Sequence, residues 1–209
     1  MVQKLLFQLQ QCICKITIPS IAKFQMSNFT HQELQVIKDS SDLVFSSTQI
    51  KTAVETIGLE LERRIFQKNP VMLCVMNGGL VFAADLMRSL DSDVRLDYLH
   101  VARYLDKTVG GSLHWHKEPK LSLQDEVVVI ADDIYDEGYT MEELVSYCKN
   151  QGAREVITVV LLLKDKASRH TDLKPDLFGL QVDDRYVYGY GMDYQGHLRN
   201  VPDIYAIAE

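Results

Sequence analysis

Apolar runs alternate with amphipathic segments along most of the chain, and this pattern predicts its secondary structure. Four segments have the composition of buried strands: residues 71–76, 94–103, 127–130 and 155–163. Three segments have the apolar spacing of core-facing helices: residues 48–68, 80–90 and 140–151. Strands without polar breaks are typical of parallel sheets that are covered on both faces. The alternation therefore predicts an α/β protein with a doubly wound parallel sheet from about Val71 to Leu163.

The pattern is interrupted at two places. Residues 105–119 lose all periodicity, and an irregular loop of this length is usually a lid or disordered. This segment carries the only tryptophan, Trp115, between His114 and His116, and each histidine alone is more often a surface residue than a catalyst. Residues 1–25 are mildly apolar but too polar for a signal peptide or a membrane span. We expect residues 1–25 to be an extension of a single domain that covers residues 26–209.

Composition narrows the functional classes only a little. The 209 residues suit one domain with a sizeable core. A formal net charge of −7 without a basic stripe argues against a general nucleic-acid or membrane-surface binder. The four cysteines are too few and too scattered for a disulfide framework, and Cys12 and Cys14 lack a partner pair at metal-ligand spacing. We therefore expect a cytoplasmic protein with reduced thiols.

Candidate chemistry is concentrated in residues 127–140, VVVIADDIYDEGYT. Asp132 and Asp133 follow the apolar strand, and Asp136 comes one turn later. Ligands of open α/β sheets bind beyond the carboxyl ends of the strands. The helix that starts after Gly138 offers free N–H groups and a positive dipole end to a phosphate. The carboxylates suit ribose hydroxyls or a hard metal ion.

Two further segments point to the same edge of the sheet. The strand 71–76 ends in Asn77-Gly78-Gly79 before a helix, which is another arrangement that accepts phosphate but is also common in plain βα turns. Lys164 follows directly on the apolar strand 155–163. Its ammonium group is therefore expected in the same crevice, although a lysine at a strand end is often only solvated.

Residues 127–140 resemble the signature of type I phosphoribosyltransferases: a hydrophobic strand, two acidic residues, two apolar residues and then Asp-x-Gly-x-Thr. The tail from Asp183 to Arg199 is similar to the purine-contacting segment of the hypoxanthine-guanine branch. The resemblance extends roughly from Thr48 to Glu209. It implies the type I phosphoribosyltransferase fold, in which a parallel sheet flanked by helices carries a small hood from the chain ends, here residues 26–47 and 164–209.

The resemblance also implies roles for individual residues. Asp136 matches the general base or proton acceptor at purine N7. Residues implied in phosphoribosyl pyrophosphate (PRPP) binding are Asp132, Asp133, Glu137, Gly138, Tyr139 and Thr140 for the ribose and 5′-phosphate, and Asn77, Gly78 and Arg199 for the pyrophosphate. Residues implied in purine binding are Lys164, Tyr186, Val187 and Asp193, those of the lid are Arg103 and Tyr104, and those near Mg²⁺ are Asp132, Asp133 and Asp193.

Several positions depart from the family pattern. Asn77 stands where a lysine is usual, and Arg103 replaces the serine of a Ser-Tyr pair. Glu137 replaces a threonine and Tyr139 a lysine in the phosphate loop. Because a carboxylate repels a phosphate, we expect Glu137 to turn outward or towards the pyrophosphate and metal side.

The resemblance implies purine salvage: transfer of the 5-phosphoribosyl group from PRPP to hypoxanthine or guanine, which gives IMP or GMP and pyrophosphate, in a homodimer or homotetramer that requires Mg²⁺. A preference for xanthine is an alternative, and a pyrimidine is a weaker one. A non-catalytic PRPP-sensing regulator would carry an added DNA-binding domain or basic face. A phosphoacceptor receiver domain would need its acidic pair at the first strand, whereas Asp132 lies beyond the middle of the chain.

Overall fold

The computed structural model describes residues 29–103, 113–167 and 169–208. Within these ranges the chain forms four helices: α1 His31–Asp39, α2 Ser47–Ile65, α3 Leu80–Arg88 and α4 Tyr139–Asn150. The strands of the same ranges are β1 Asp42–Phe45, β2 Val71–Met76, β3 Arg95–Arg103, β4 Leu113–Lys117, β5 Val127–Tyr135, β6 Glu155–Asp165, β7 Leu177–Asp183, β8 Val187–Tyr188 and β9 Ile204–Ala206. The predicted extension 1–25 lies outside the described residues.

A six-stranded sheet in the order β4-β3-β2-β5-β6-β7 forms the centre of the molecule. The neighbours from β3 to β7 are parallel, and only β4 runs antiparallel, beside β3. In the middle of the sheet Val128 of β5 pairs with Val71 on one side and with Val156 on the other. The mostly parallel α/β sheet that the apolar runs predict is confirmed.

Helices cover both faces of this sheet, which explains why its central strands are apolar without alternation. Val127, Val129 and Ala131 of β5 pack in one core with α2 and α3, whereas Val128 and Ile130 pack in a second core with α4. Each of these side chains is at most 1% exposed. Full burial of a valine or isoleucine side chain contributes roughly 1.5–3 kcal/mol to the free energy of folding. The middle strands therefore stabilise the fold.

Local signals explain where the long helix α2 begins and ends. The Ser46 hydroxyl accepts from the Gln49 N–H, and the Gln49 side chain accepts from the Ser46 N–H, so the first turn has a complete capping box. Its apolar positions Ile50, Val54 and Ile57 are buried against the sheet. The helix ends at Ile65, ahead of Pro70, in agreement with the predicted span. In the described part of the chain, the helices are too short or too polar to cross a membrane.

The chain ends form a separate antiparallel sheet in the order β1-β9-β8, which is the hood. Two parts of the prediction for residues 164–209 are wrong. Strand β6 continues to Asp165, and β7 belongs to the main sheet, where it pairs in parallel with β6. The sequence of β7, LFGLQVD, mixes apolar and polar residues because β7 is an edge strand. Phe178 of this strand is 47% exposed. The sheet therefore extends beyond the predicted limit at Leu163.

The prediction of an irregular loop over residues 105–119 is also wrong in part. Residues 113–117 form β4, in which the apolar Leu113 and Trp115 alternate with His114 and His116. Trp115 faces inward and packs on Tyr147 of α4, with ring centroids 4.5 Å apart, while His114 and His116 are exposed on the other face. Trp115 is therefore partly buried and packs against the second core. Of the two predicted lid residues, Arg103 ends β3 and Tyr104 lies outside the described residues.

Candidate active site

Two adjacent carboxylates lie at the carboxyl-terminal end of β5. This strand runs on to Tyr135, so Asp132 and Asp133 belong to the strand and do not follow it. The Asp133 N–H donates to Asp132 Oδ1 at 2.9 Å, and the Ile134 N–H donates to Asp133 Oδ1 at 2.8 Å. Burial, and then the Asp133 carboxylate, raise the pKa of Asp132 well above its usual range. Burial also raises the pKa of Asp133, although the Ile134 N–H and Arg199 oppose it.

The β2–α3 turn, residues 77–79, lies directly against this acidic pair. A Cβ on Gly78 would be 1.8 Å from Asp133 Oδ2, and the Met76–Asn77 peptide bond is cis. On its other side the turn meets the hood loop, which we define as residues 189–201. A Cβ on Gly191, whose φ is +102°, would be 2.2 Å from the Gly78 carbonyl oxygen. Only glycines allow this close packing of turn, carboxylate and hood loop.

The β5–α4 loop presents a helix N-terminus, as the sequence predicts. Gly138 has φ +91° and is the N-cap of α4, so Tyr139 and Thr140 form the first turn, whose N–H groups lack intrahelical acceptors. A side chain on Gly138 would meet the Tyr135 hydroxyl at 2.4 Å. The Tyr139 ring stacks on His170 with centroids 3.4 Å apart. The Glu137 side chain is 44% exposed, and its Oε1 lies 4.0 Å from Lys166 Nζ. The Glu137 carboxylate therefore lies on the Lys166 side of the loop, and its turning away from a bound phosphate stays a prediction.

Asp136 is held between two lysines. Lys164 Nζ lies 3.2 Å from Asp136 Oδ2, and Lys166 Nζ lies 2.6 Å from Asp136 Oδ1. Both lysines are also 3.4 Å from Asp184, and their side chains are only 12% and 16% exposed. Burial alone would raise the pKa of Asp136, but Lys166 and Lys164 outweigh it and hold that pKa below its usual value. Contact with Asp136 in turn raises the pKa of Lys166.

Lys166 and Arg169 are site residues that the sequence reasoning missed. Side chains two apart on a strand share a face, so Lys166, just past the end of β6, points the same way as Lys164. The Arg169 guanidinium donates to the backbone oxygens of Asp136, at 3.3 Å, and of Lys164, and it lies over the Tyr135 ring at 5.4 Å. A signal existed in the basic residues of KDKASRH, but a short charged run usually indicates only a solvated turn.

The predicted purine-binding residues lie in the hood. Tyr186 is 52% exposed, and its hydroxyl donates to the Asp193 carbonyl oxygen at 2.9 Å. An exposed ring that is fixed at its hydroxyl is suited to stacking on a flat ligand. Val187 is buried in β8. Arg199 donates to the Gly191 carbonyl oxygen at 2.7 Å and pairs with Asp193 Oδ1 at 2.7 Å. The arginine is therefore tied to the hood loop beside the β2–α3 turn.

The predicted metal residues do not form a preformed cage. Among the described residues, no group of three histidine, cysteine or acidic side chains is arranged to hold a metal ion. Both oxygens of Asp193 are engaged, by Arg199 and by the Gly196 N–H at 2.6 Å. Mg²⁺ usually binds to one or two carboxylates together with substrate phosphates. The adjacent, largely buried carboxylates Asp132 and Asp133 fit such a shared site, because within residues 29–103, 113–167 and 169–208 neither forms an ion pair with a lysine or an arginine.

Comparison with known proteins agrees with this geometry. The profile of the phosphoribosyl transferase domain matches residues 42–195, which includes the β2–α3 turn, the β5–α4 loop and the first part of the hood loop. The chain belongs to this phosphoribosyltransferase family. The fold is accordingly that of the type I enzymes, with a mostly parallel central sheet.

Named relatives come from the purine branch of the family. The chain is 32% identical over 167 residues to the hypoxanthine-guanine phosphoribosyltransferase of Bacillus subtilis, covering 79% of this chain and 92% of the relative. It is 29% identical over 177 residues to the hypoxanthine-guanine-xanthine phosphoribosyltransferase of Tritrichomonas foetus, covering 85% and 97%. The crystal structure of a hypoxanthine-guanine phosphoribosyltransferase from Bacillus anthracis superposes with a TM-score of 0.74 at 27% identity, covering 80% of this chain and 97% of that one.

Proposed function

We propose that this protein transfers the 5-phosphoribosyl group of PRPP to N9 of hypoxanthine or guanine, forming IMP or GMP and releasing pyrophosphate. The observation that carries this proposal is the pairing of Asp136 with Lys164 and Lys166 beside the helix N-terminus at Gly138. It combines a phosphate site, a proton acceptor and ammonium donors in one crevice. The names of the relatives from Bacillus subtilis and Tritrichomonas foetus support the same reaction.

PRPP would lie along the carboxyl ends of the central strands. Backbone N–H groups of residues 137–140 and the Thr140 hydroxyl hold the 5′-phosphate, since helix N-termini favour anions. Asp132 and Asp133 accept from the ribose hydroxyls. Mg²⁺, held by Asp132 and Asp133 with pyrophosphate oxygens and by Asp193 on the hood side, would neutralise charge on the leaving pyrophosphate. Asp193 can take part when Arg199 turns from it to the pyrophosphate.

The purine would lie between the Tyr186 ring and the lysine-bound carboxylate. As the C1′–oxygen bond to pyrophosphate breaks and the C1′–N9 bond forms, Asp136 accepts the purine proton at N7. The lysines keep Asp136 ionised, because they hold its pKa below its usual value. A positioned base of this kind typically contributes about 10²- to 10⁴-fold in rate.

Selection of 6-oxopurines is assigned to the lysine pair. The family resemblance gives Lys164 the role of donor to purine O6, and the position of Lys166 supports a share in that role. Adenine carries a donor amine at this position, which would leave an ammonium group unpaired at a cost of about 1–3 kcal/mol. We further propose a cytoplasmic homodimer or homotetramer with Mg²⁺ as cofactor, as the family resemblance implies.

The proposal is tested by incubating the full-length protein with Mg²⁺, PRPP and one of hypoxanthine, guanine, xanthine or adenine, and identifying the products by mass spectrometry. We expect IMP and GMP from the wild type and a loss of about 10²- to 10⁴-fold in Asp136→Asn. Xanthine is included because a relative carries it in its name. Conversion of xanthine alone would change the assigned substrate from hypoxanthine or guanine to xanthine. Binding of PRPP without turnover of any base would show that the protein is a PRPP sensor and not an enzyme.

The two lysines can be separated in the same assay. Lys164→Met and Lys166→Met keep the aliphatic length and remove the charge, and Lys51→Met on the exposed face of α2 is a matched control. The variant with the larger rise in KM for hypoxanthine, at unchanged KM for PRPP, identifies the O6 donor. Equal rises would show that the two ammonium groups share the contact.

A further inference from the structure

The β6–β7 segment, which we define as residues 169–173, lies against the β5–α4 loop and the first turn of α4. The Thr171 hydroxyl donates to Glu142 Oε1 at 2.7 Å, and His170 Nε2 lies 3.5 Å from Glu142 Oε2. The His170 ring stacks on the ring of Tyr139. The mechanism proposed above gives this segment no role, although its contacts are concentrated on the loop that would hold a phosphate.

Two donors of this segment take up consecutive backbone carbonyl oxygens of the β5–α4 loop. Arg169 Nε donates to the Asp136 carbonyl oxygen at 3.3 Å. The His170 N–H donates to the Glu137 carbonyl oxygen at 3.1 Å. The segment therefore fixes the direction in which both carbonyl groups of the loop point.

Fixing these carbonyl groups also fixes the neighbouring N–H groups, because a trans peptide unit directs its C=O and its N–H to opposite sides. The bond to the Asp136 carbonyl oxygen turns the Glu137 N–H away from the segment, and the bond to the Glu137 carbonyl oxygen turns the Gly138 N–H away. The Gly138 carbonyl oxygen accepts from the Glu142 N–H at 3.0 Å, which directs the Tyr139 N–H out of the helix end. Successive N–H groups around a left-handed residue such as Gly138 form a concave anion site.

The segment is itself held firmly in this position. A Cβ on Gly138 would be 2.6 Å from Thr171 Cγ2, so the loop and the segment are in direct contact. The Arg169 guanidinium also donates to the Lys164 carbonyl oxygen and lies over the Tyr135 ring at 5.4 Å. Arg169 at one end of the contact and Thr171 at the other thus anchor the segment to β5, β6 and α4.

We propose that Arg169 and Thr171 are positioning residues, which orient the N–H groups of the β5–α4 loop towards the 5′-phosphate of PRPP and of the product nucleotide. This inference rests on the proposed function and deepens it. Both side chains act through the backbone of the loop and not by contact with the phosphate. Donors that are already oriented need no rearrangement when the anion binds. Their orientation has more weight in this chain because Tyr139 stands where the family pattern has a lysine.

The test compares the affinities of the full-length protein for IMP and for pyrophosphate with Mg²⁺, both measured by calorimetry. Only IMP carries the 5′-phosphate. We expect Arg169→Met to weaken IMP binding about tenfold, equal to about 1.4 kcal/mol, and Thr171→Val to weaken it about fivefold. Pyrophosphate affinity should stay within about twofold in both variants. Arg63→Met and Thr56→Val on the exposed face of α2 are the matched controls and should leave both affinities unchanged.

Steady-state kinetics separate orientation of the loop from damage to the rest of the site. Thr171→Val leaves the Arg169 contact with Asp136 in place, so the KM for PRPP should rise about fivefold while kcat and the KM for hypoxanthine stay within about twofold. IMP affinities within about twofold of the wild type in both variants would overturn the inference. Equal weakening of IMP and pyrophosphate binding would also overturn it, since that result indicates a general structural role.

Arg169→Lys distinguishes orientation from charge. Lysine keeps the positive charge but concentrates its donors on one nitrogen, so it cannot replace the planar fork that reaches the Asp136 and Lys164 carbonyl oxygens. We expect Arg169→Lys to recover less than about half of the IMP affinity that Arg169→Met loses. Full recovery would show that a positive charge near the phosphate is sufficient, and would contradict the positioning role.

Failure of the inference is distinguishable from failure of the proposed function. If the wild type forms IMP and both variants bind IMP as the wild type does, only the positioning roles are lost. If the wild type binds IMP but converts no base, the proposed reaction is lost, and the comparison of IMP affinities still decides the positioning roles. Thermal unfolding of every variant is measured alongside, and Thr171→Val decides the question if Arg169→Met does not fold.

Discussion

The contact between Gly78 and Asp133 offers the sharpest test of how the site is built. Replacing Gly78 by alanine adds a single methyl group, which would be 1.8 Å from Asp133 Oδ2 and 2.7 Å from Asp133 Cγ. The turn cannot move away from the carboxylate, because the Gly78 carbonyl oxygen packs closely against Gly191 of the hood loop. The carboxylate must therefore swing away, and in doing so it breaks its hydrogen bond from the Ile134 N–H at 2.8 Å.

The size of the effect follows from these distances. Ordinary van der Waals contact starts at 3.4 Å, so the Asp133 carboxylate has to move by roughly 1.5 Å. A misplacement of about 1 Å in a reacting complex costs about 10²-fold in rate. We therefore expect Gly78→Ala to lower kcat/KM for PRPP at least about 100-fold, or about 2.7 kcal/mol. Loss of a hydrogen bond to a charged group lowers the free energy of unfolding by about 1.5–3 kcal/mol at most.

The assay is the initial rate of IMP formation at varied PRPP, combined with thermal unfolding. Gly58→Ala is the control: its methyl group would meet the rotatable Ser89 hydroxyl at 2.2 Å, far along α2 from the site. Alanine is favoured over glycine inside a helix by about 0.8–1.0 kcal/mol, which offsets the lost hydrogen bond from the Ser89 hydroxyl to the Leu86 carbonyl oxygen. The control should therefore keep both activity and stability near the wild-type values.

A double-mutant cycle with Asp133→Ala decides whether the loss passes through that carboxylate. If it does, adding Gly78→Ala to Asp133→Ala lowers the rate little further, and the two effects are strongly non-additive. Additive losses would show that alanine acts on the turn or on PRPP directly. A single variant Gly78→Ala with kcat/KM within fivefold of the wild type would refute the reasoning from the contact.

Two further predictions concern the charges of the site. Lys166→Met should move the acid limb of the pH profile of kcat/KM to higher pH, because the largest effect holding down the pKa of Asp136 is lost; an unmoved limb would exclude Asp136 as the titrating base. Asp132→Asn should raise the unfolding temperature in EDTA by about 2–4 °C while lowering turnover, because it relieves burial of a carboxylate beside Asp133. A lower unfolding temperature would show that the charge stabilises the fold.

The parts of the fold that sequence reasoning predicts well are those whose side chains all meet the same environment. The strands β2, β5 and β6 are buried on both faces, so each is a run of apolar residues with an unambiguous type. The edge strands β4 and β7 meet solvent on one side or at their ends. Because these strands contain polar residues such as His114 and Gln181, the sequence pattern does not predict them as strands. They form as strands through pairing with β3 and β6.

The candidate site divides in the same way. Asp132, Asp133, Asp136 and Gly138 lie close together in one signature at the carboxyl-terminal end of a buried strand, and their common location could be predicted from the sequence alone. Contacts between distant segments could not: the stacking of Tyr139 on His170 depends on where the segment after β6 folds back. The turning of Glu137 away from phosphate stays a prediction from electrostatics, because a carboxylate is unfavourable near phosphate.

The lysine pair shows how a charged segment gains a specific role from its position in the fold. In the sequence, Lys164 and Lys166 flank Asp165, which is the pattern of a solvated strand end. In the structure, strand alternation turns both lysines to one side, where their side chains are mostly buried against Asp136 and Asp184. Two ammonium groups and two carboxylates in a crevice balance each other in charge only while no substrate is present. Under the proposed function, a purine that engages Asp136 and one lysine would release the other lysine, so the same four groups would both stabilise the empty site and recognise the base.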